Sequence, residues 1–392
     1  MRFVLALLLI PLLAVSATSC ARKQKKKDYA RPLAPGEIAL REVDIATVPN
    51  VTLTDRDAVH RAIMNSIAFI EKKSAFPLPI AGISKEQVAA SLKAIDELVT
   101  STKTDAEFNA ELKKRFRAYM SIGCDDQGTV LFTGYYTPIF NASRTPDATY
   151  RFPIYKKPAD LVQGKTNLEI AKQAPAMNPY PDAGTIESSG MLKGQELVWL
   201  SDPYEAYLVR VQGSAKLRLP DGTKMEIGYN GTNGYQYHGI GQDLVTDGRV
   251  PADKLSFFTM REYFKAHPEE VPTYTKRNPR YIFFTETKGG PFGSIGQPVT
   301  ADLSIATDKT IFPPAGPVVV ATALSTGGED QARLKDAPNK GVSYVALRFD
   351  QDTGGAIRAP GRTDLYMGEG EANERRAGGQ YAEGKLYYLI AK

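Results

Sequence analysis

The sequence QDTGGAIRAPGRTDLYMGEG, residues 351–370, is the most informative part of this chain, because two aspartates lie in it among several glycines. Asp352 and Asp364 are twelve positions apart. Two carboxyl groups that a fold brings together can divide acid and base roles between them. The first question is therefore whether these two aspartates form a catalytic pair.

The tripeptide DTG at 352–354 matches the loop signature of an aspartic protease. Such a protease needs two carboxylates about 3 Å apart that share one proton, and therefore two such loops in one chain or in a symmetric dimer. This chain has a single such loop, and Asp350 and Gln351 are polar where a buried apolar strand usually leads into it. A protease is not favoured.

Length and composition are those of a globular protein. The chain has 392 residues, of which 42% are hydrophobic and 24% charged, enough for two domains with a buried core. The net charge is +5, but Arg2 and the run at 22–27 hold six positive charges before the first acid, Asp28. The remaining charges are nearly balanced, so no nucleic-acid partner is predicted.

The N-terminus is typical of an exported lipoprotein. Arg2 precedes an apolar segment at 3–15 that is too short to span a bilayer, and small residues lead to Cys20. We predict a signal peptide at 1–19, lipid attachment at Cys20, and a flexible basic and proline-bearing tether at 20–50. Ordinary cleavage to a soluble periplasmic protein is the alternative. With Cys20 lipidated, Cys124 lacks a disulfide partner.

Helical periodicity follows the tether and strand-like texture follows the helices. Apolar spacing predicts three helices, at about 59–70, after Ser84, and from Thr104 to Tyr119. Short strands joined by glycine-rich links favour an antiparallel or mixed barrel over a doubly wound sheet. The predicted strands are 131–137, 197–200, 206–219, 224–229, 281–284, 304–307, 318–324, 342–349 and 385–390, with helices near 239–246 and 254–265.

The sequence lacks the motifs of a metal site, a nucleotide-binding loop and a serine hydrolase. His60, His238 and His267 are far apart and without ligand spacing, so no metal site is predicted. The glycines form no phosphate-binding loop, so no organic cofactor is expected. The serine-hydrolase elbow GxSxG is absent, and the tripeptide QGS at 212–214 is expected along a strand.

Carbohydrate chemistry fits the remaining residues. Aromatic side chains stack on sugar rings, amides and hydroxyls bond to sugar hydroxyls, and a protonated carboxyl can drive departure of a glycosidic oxygen. Adjacent glycines can bring backbone close to a ligand. For any single tyrosine, packing in the core is the competing interpretation. The candidates are Tyr135, Tyr136, Trp199, Tyr207, Gln212, Ser214, Tyr229, Asn230, Asn233, Tyr235 and Tyr237.

A set of motifs in fixed order carries a family resemblance. They are GYYTP at 134–138, GMLKG at 190–194, VQGS at 211–214, GYNGTNG at 228–234, NP at 278–279, SIATD at 304–308, DTGGAI at 352–357 and DLYMGEG at 364–370. In this order they resemble the membrane-bound lytic murein transglycosylase A family over roughly 130–390. The C-terminal part resembles that family's three-aspartate domain.

The resemblance implies a mainly β fold with N-terminal helices, of class α+β. Residues 51–138 and 285–392 would form the helical region and a double-psi β-barrel, the three-aspartate domain. Residues 139–284 would form an inserted smaller β domain, with the substrate groove between the two. The implied location is the cell envelope, facing peptidoglycan, and the absence of aspartate at Ala21 favours anchoring in the outer membrane.

The implied activity is cleavage of the β-1,4 bond between N-acetylmuramic acid and N-acetylglucosamine, leaving a 1,6-anhydromuramic end. The C6 hydroxyl of the substrate is then the nucleophile, so one carboxyl suffices as acid and then base. By motif position that carboxyl is Asp364, and burial would raise its pKa. Asp352 and Asp308 would be supporting carboxylates. No metal or organic cofactor is implied.

The predicted partners are peptidoglycan glycan strands and, through Cys20, the lipid bilayer, with other cell-wall enzymes left open. Pro360 departs from the usual family loop and leaves the presentation of Asp364 open. The alternative function is a glycan-binding envelope lipoprotein of the same fold without catalysis, against which the intact Asp364 argues. The predicted substrate-binding residues are Tyr135, Tyr136, Thr137, Gln212, Gly213, Ser214, Tyr229 and Gly231.

Overall fold

The structure is a computed structural model that describes residues 27–72, 76, 78–161, 180–327 and 341–392. The predicted signal peptide and Cys20 lie outside the described residues. Among the described residues, no helix is both long enough and apolar enough to cross a membrane.

The helices begin at the polar caps that the sequence provides. Ser84 and Thr104 each accept a hydrogen bond from the backbone three residues on, and Gln87 and Glu107 complete the two predicted capping boxes. In the described residues the α-helices are α1 Arg56–Ile70, α2 Lys85–Ser101, α3 Asp105–Arg115, α4 Ala183–Ser189, α5 Pro203–Gln212, α6 Gly241–Thr246, α7 Phe257–Ala266, α8 Val271–Thr275 and α9 Gly370–Gly379.

The strands divide into two sheets, one around the N- and C-terminal segments and one between them. In the described residues the strands are β1 Leu40–Val43, β2 Phe116–Ser121, β3 Val130–Thr137, β4 Ile139–Ser143, β5 Phe152–Tyr155, β6 Glu196–Leu200, β7 Ser214–Arg218, β8 Lys224–Thr232, β9 Ile282–Thr287, β10 Ser304–Ala306, β11 Pro317–Leu324, β12 Val342–Asp352, β13 Arg362–Glu369 and β14 Tyr381–Ala391.

Six strands of the first sheet close into a barrel. Their order is β14–β11–β12–β10–β13–β3, and β3 pairs back with β14. The pairs β10–β12 and β3–β13 are parallel, and the other barrel pairs are antiparallel. β2 and β1 extend the sheet outward from β14. The predicted mixed barrel with N-terminal helices is therefore confirmed.

Helices α1 and α2 cover the barrel with the apolar faces that their periodicity predicts. Val88, Leu92 and Ile95 are fully buried in the core that helices and barrel share. Gln351 is also fully buried, and its Nε2 donates to the carbonyl oxygen of Ala62 at 2.7 Å. The buried amide is therefore satisfied by a hydrogen bond, and this bond links α1 to the end of β12.

The second sheet has the order β5–β6–β4–β7–β8–β9 and lies between β3 and β10 in the chain. Helices α5, α7 and α8 pack on it around a separate core that includes Leu217, Ile227 and Phe264. Since β3 leads directly into β4, the two sheets meet where the barrel strand ends.

The predicted strand at 206–219 is wrong in its first half, which forms helix α5. Asp202 caps this helix, because its side chain accepts hydrogen bonds from the backbone N–H groups of Tyr204 and Glu205. The helix ends at Gly213, whose φ of 79° suits glycine. The tripeptide at 212–214 is thus a helix end, a turn and a strand start, and not a continuous strand. Aromatic and β-branched residues on the buried face of α5 produced the strand-like texture.

Two predictions at the N-terminal side are also corrected. The third helix ends at Arg115, and the residues predicted to continue it form β2, which pairs with β14. The flexible tether predicted at 20–50 does not hold for residues 27–50. Leu40–Val43 forms β1, the hydroxyl of Tyr29 donates to Glu383 at 2.6 Å, and Arg31 donates to the carbonyl oxygen of Cys124. Both differences arise because these segments form strands: β2 pairs with β14, and β1 pairs with β2.

Candidate functional site

A groove of about 700 Å³ separates the barrel from the second sheet, and both line it. The barrel contributes two carboxyl groups, at the end of β12 and near the start of β13, and the second sheet contributes hydroxyl, amide and guanidinium groups. The lining includes Tyr135, Thr137, Asp352, Arg358, Arg362, Asp364 and Tyr366 from the barrel side, and Gln212, Gly213, Ser214, Tyr229, Tyr237 and Arg280 from the other.

Asp364 lies on β13, directly beside Thr133 on the parallel strand β3. The Thr133 hydroxyl donates a hydrogen bond to Oδ1 of Asp364. Arg362 donates to the same hydroxyl oxygen from Nε at 3.2 Å and from Nη2 at 3.1 Å. Its Nη2 lies 4.0 Å from Oδ1 of Asp364, whose side chain is 18% exposed. The threonine therefore links the guanidinium to the carboxyl.

Burial raises the pKa of Asp364 from its ordinary 3.8 to about 6. The positive charge of Arg362 opposes this shift, and the nearby Asp352 adds to it. A carboxyl with a pKa near 6 is partly protonated at neutral pH, as a general acid requires.

Asp352 has its oxygens occupied by donors from its surroundings. Oδ1 accepts from the backbone N–H groups of Ser294 and Thr353 at 2.8 Å each, and Oδ2 accepts from the Tyr135 hydroxyl at 2.8 Å. Burial raises the pKa of Asp352, although these three donors favour the ionised form. Asp352 is therefore an anchored carboxylate that holds three segments of the barrel end together.

Asp308 contacts loops and does not line the groove. Its Oδ1 accepts from the backbone N–H and the hydroxyl of Thr310 at 3.0 and 2.7 Å, and its Oδ2 accepts from the backbone N–H of Ala359 at 3.1 Å. Ala359 has a φ of 67° and precedes Pro360. Asp308 thus fixes the strained segment that leads from Asp352 to Asp364.

A buried ion pair lies close to Asp352 in the chain. Lys309 and Asp350 contact each other inside the barrel, and the hydroxyls of Thr307 and Tyr388 donate to Oδ2 of Asp350 at 2.7 Å. The ammonium of Lys309 also lowers the pKa of Asp352. Because its polar atoms are satisfied, this network is a rigid base for the barrel end.

The predicted substrate-binding residues divide into two groups. Six of them line the groove: Tyr135, Thr137, Gln212, Gly213, Ser214 and Tyr229. Tyr136 does not, because alternation along β3 turns its side chain inward, where its hydroxyl donates to Glu374 at 2.9 Å. Gly231 is buried at an irregular position between β8 and β9. Neither residue is therefore part of the groove lining.

Sequence reasoning missed Thr133 and Arg362, the two residues that contact or approach Asp364. Arg362 precedes Asp364 by two positions, and residues two apart on a strand share a face. The spacing of Arg362 and Asp364 would have predicted that they share a face if 362–369 had been identified as a strand. Thr133 is 231 positions from Asp364, so only the parallel pairing of β3 with β13 reveals it.

The described residues offer one group of three potential metal ligands, His267, Glu269 and Glu270. All are outside the groove lining, and exposed acidic groups commonly occur without an ion. This cluster therefore has no connection to the groove chemistry.

In architecture the chain is an α+β protein in which a closed barrel faces a second sheet across a groove lined by two carboxyl groups with raised pKa values. Two family models match it: the MltA specific insert domain at residues 131–285 and the 3D domain at 303–390. The first matched segment covers barrel strand β3 together with most of the second sheet, and the second covers the barrel strands from β10 to β14.

Known proteins share this arrangement. Membrane-bound lytic murein transglycosylase A of Escherichia coli is 28% identical over 280 residues, covering 69% of this chain and 68% of that protein. The Vibrio cholerae protein of the same name is 28% identical over 270 residues, covering 68% and 67%.

Solved structures agree on the fold. The membrane-bound lytic murein transglycosylase of Agrobacterium tumefaciens has a TM-score of 0.73 at 24% identity, covering 90% of this chain and 98% of that one. Escherichia coli MltA with bound chitohexaose has a TM-score of 0.68 at 22% identity, covering 94% and 96%. The chain belongs to the membrane-bound lytic murein transglycosylase A family.

Proposed function

We propose that this protein is a peptidoglycan lytic transglycosylase that uses Asp364 as its single acid and base. The observation that carries the proposal is the state of this carboxyl: it lies in the groove, burial raises its pKa to about 6, and among the described residues no hydrogen bond reaches its Oδ2. An oxygen that the protein leaves unbonded in a groove is available to a substrate. The names of the relatives support the same substrate class.

The reaction proceeds at the β-1,4 bond between N-acetylmuramic acid and N-acetylglucosamine. Protonated Asp364 gives its proton to the glycosidic oxygen as the bond from C1 to that oxygen breaks. The C6 hydroxyl of the same muramoyl residue then forms the new bond to C1, and its proton passes to the Asp364 carboxylate. The products are a 1,6-anhydromuramic end and a free hydroxyl, with no water consumed and the acid restored.

Asp352 is an unsuitable partner for a two-carboxylate mechanism. An ordinary glycosidase needs a second carboxylate free to attack the sugar or to activate water. Both oxygens of Asp352 accept hydrogen bonds from the protein itself, so neither is free for that task. Its charge instead raises the pKa of Asp364, which favours the acid form. A one-carboxyl mechanism fits this arrangement.

Digestion of purified peptidoglycan, followed by mass analysis of the fragments, tests the proposal. We expect anhydromuropeptides from the wild type and at least about 100-fold slower release from Asp364→Asn. Reducing ends would identify a hydrolase and contradict the proposal. Binding to peptidoglycan without any product would identify a glycan-binding protein of the same fold.

We further propose that the protein acts in the cell envelope, held on the outer membrane by lipid at Cys20. The cysteine follows small residues after a short apolar segment, and the relatives are named membrane-bound. Metabolic labelling with a fatty-acid probe should mark the wild type and leave Cys20→Ala unmarked. Label that persists in the variant would disprove the anchor without affecting the enzymatic proposal.

A further inference from the structure

Two arginines, one from each side, line the groove without an acidic partner among the described residues. Arg280 lies just before β9 in the second sheet, and Arg358 lies in the barrel segment between Asp352 and Asp364. Both are partly buried and both line the groove. Among the described residues, the one side-chain hydrogen bond of this pair runs from Nη1 of Arg280 to the carbonyl oxygen of Tyr235 at 3.1 Å. Within the described chain, neither guanidinium forms an ion pair.

The contacts place Arg280 against the barrel segment that carries Gly355 and Arg358. A Cβ on Gly355 would lie 3.0 Å from Nε of Arg280, so the absence of a side chain there lets the guanidinium approach. Nε of Arg358 is buried and has no hydrogen-bond partner among the described residues. Burial lowers the pKa of Arg280, and the like charge of Arg358 lowers it further.

The other two arginines that line the groove, Arg210 and Arg362, each have an acidic residue nearby. Arg210 is paired with Glu187 at 2.5 Å, and Arg362 bonds to Thr133 with Asp364 4.0 Å away. Two buried like charges without a counter-charge are costly, because desolvation and repulsion add. A site of this kind is stabilised when an anion enters it.

The position of this pair relates it to the reacting bond. The same Cβ on Gly355 would lie 3.3 Å from Cβ of Tyr237, so Tyr237 stands next to Arg280. Burial raises the pKa of Tyr237, Arg362 lowers it and Asp364 raises it, and all three residues line the groove. The arginine pair, Tyr237 and the carboxyl that the proposed function uses therefore line the same groove.

We propose that Arg280 and Arg358 form a carboxylate-binding subsite that receives the anionic substituent of the muramoyl residue beside the cleaved bond. This inference rests on the proposed function. Guanidinium groups bind carboxylates through paired, charge-assisted hydrogen bonds. The sugar rings of the strand are neutral, and its carboxylates are carried on the lactyl ether of muramic acid or on the peptide that extends it. The subsite would orient the muramoyl residue so that its C1 faces Asp364.

Affinity measurements with three matched probes test the subsite. The probes are glycan strands that carry stem peptides, the same strands stripped of peptides so that the lactyl carboxylate is free, and strands whose carboxylates have been converted to amides. Binding is compared for the wild type, Arg280→Gln, Arg358→Gln, the double variant, and Arg375→Gln as a control. Arg375 is an exposed arginine on α9 whose partner is Glu371.

We expect the double variant to bind carboxylate-bearing strands about tenfold more weakly or worse, with unchanged affinity for the amidated strands. A loss on both kinds of carboxylate-bearing strand supports the subsite and identifies the lactyl position or its immediate neighbour. A loss confined to peptide-bearing strands supports it and identifies a peptide carboxylate. The control variant should match the wild type on all three probes, and higher salt should weaken only the carboxylate-dependent part.

Equal affinity of the double variant and the wild type for the three probes would overturn the subsite. So would an equal loss on amidated strands, since that result indicates a structural role. If the wild type cleaves peptidoglycan to anhydro ends in either case, only the subsite fails. A wild type that releases no anhydro ends contradicts the proposed function instead.

Discussion

The two sides of the groove are built differently. The barrel side presents Asp352 and Asp364 on strands that are hydrogen-bonded on both edges, and short contacts hold each carboxyl. The opposite side presents residues from helix ends, turns and an edge of the second sheet, and Tyr229 there is 40% exposed. Precise chemistry needs groups held within a fraction of an ångström, whereas binding tolerates adjustable contacts. We therefore expect barrel variants to change kcat and second-sheet variants to change KM.

The largest expected effect is that of Asp364→Asn. The amide cannot give or take the proton, so kcat should fall by about 10²- to 10⁴-fold while KM changes little. Release of anhydromuropeptides from purified peptidoglycan measures the loss. Circular dichroism should show a folded variant. Wild-type turnover in this variant would show that Asp364 does not act in the reaction. It would contradict the assignment of chemistry to the barrel side and of binding to the second sheet.

The same variant should be more stable than the wild type at high pH. Asp364 has a folded pKa of about 6 against an ordinary 3.8, so protonation favours the folded state below pH 3.8, and this contribution is lost as the pH rises through about 6. Above pH 7 the wild type buries an ionised carboxylate and the asparagine variant does not. The expected gain in unfolding free energy is up to about 3 kcal/mol at pH 8 and near zero at pH 4. Urea unfolding at both pH values checks it.

Asp352→Asn should lower activity at neutral pH by about tenfold or less. The asparagine oxygen can still accept from the backbone N–H groups of Ser294 and Thr353, so the loop should remain in place. Removing the negative charge lowers the pKa of Asp364, because Asp352 raises it in the wild type. The alkaline limb of the activity profile should therefore move to lower pH. A limb that does not move would show that Asp352 acts only as an anchor.

Arg362→Gln should move the same alkaline limb in the opposite direction. The guanidinium lowers the pKa of Asp364, so its removal lets the carboxyl stay protonated to higher pH. Activity at alkaline pH should exceed that of the wild type by a few-fold. Arg375→Gln removes an equal charge from the exposed face of α9 and is the matched control. A limb that shifts equally in both variants would indicate a general effect of net charge.

The smallest effect should come from the second sheet. Tyr229→Ala removes an exposed aromatic face from the groove, and KM should rise about 2- to 10-fold with kcat unchanged. Tyr229→Phe keeps the ring and should remain near the wild type. If Tyr229→Ala instead lowered kcat, the second sheet would share in orienting the reacting bond.

Sequence patterns predicted the local elements well where a chemical signal was local. Capping boxes at Ser84 and Thr104 identified two helices, and the aromatic run at 131–137 identified β3. The failures were also local in origin. Helix α5 has a strand-like composition, and its cap at Asp202 was a weaker signal than its run of aromatic and β-branched residues.

For the candidate site, motif order alone led to Asp364, Asp352 and six of the groove-lining residues. It could not identify Thr133 as a partner of Asp364, because the two residues meet through a parallel pairing across 231 positions. It also assigned Tyr136 to the groove, since the direction of a side chain depends on which face of the strand the groove occupies.

By itself the sequence determined the class of fold, and it led to the predictions of Asp364 as acid and base and of an export signal at the N-terminus. These depend on patterns within a few residues or on the order of motifs. The tertiary structure alone decided the raised pKa of Asp364, the occupied oxygens of Asp352 and the placement of Arg280 and Arg358 in one groove. Burial, hydrogen bonding and charge proximity arise only when barrel closure and the second sheet bring distant segments together.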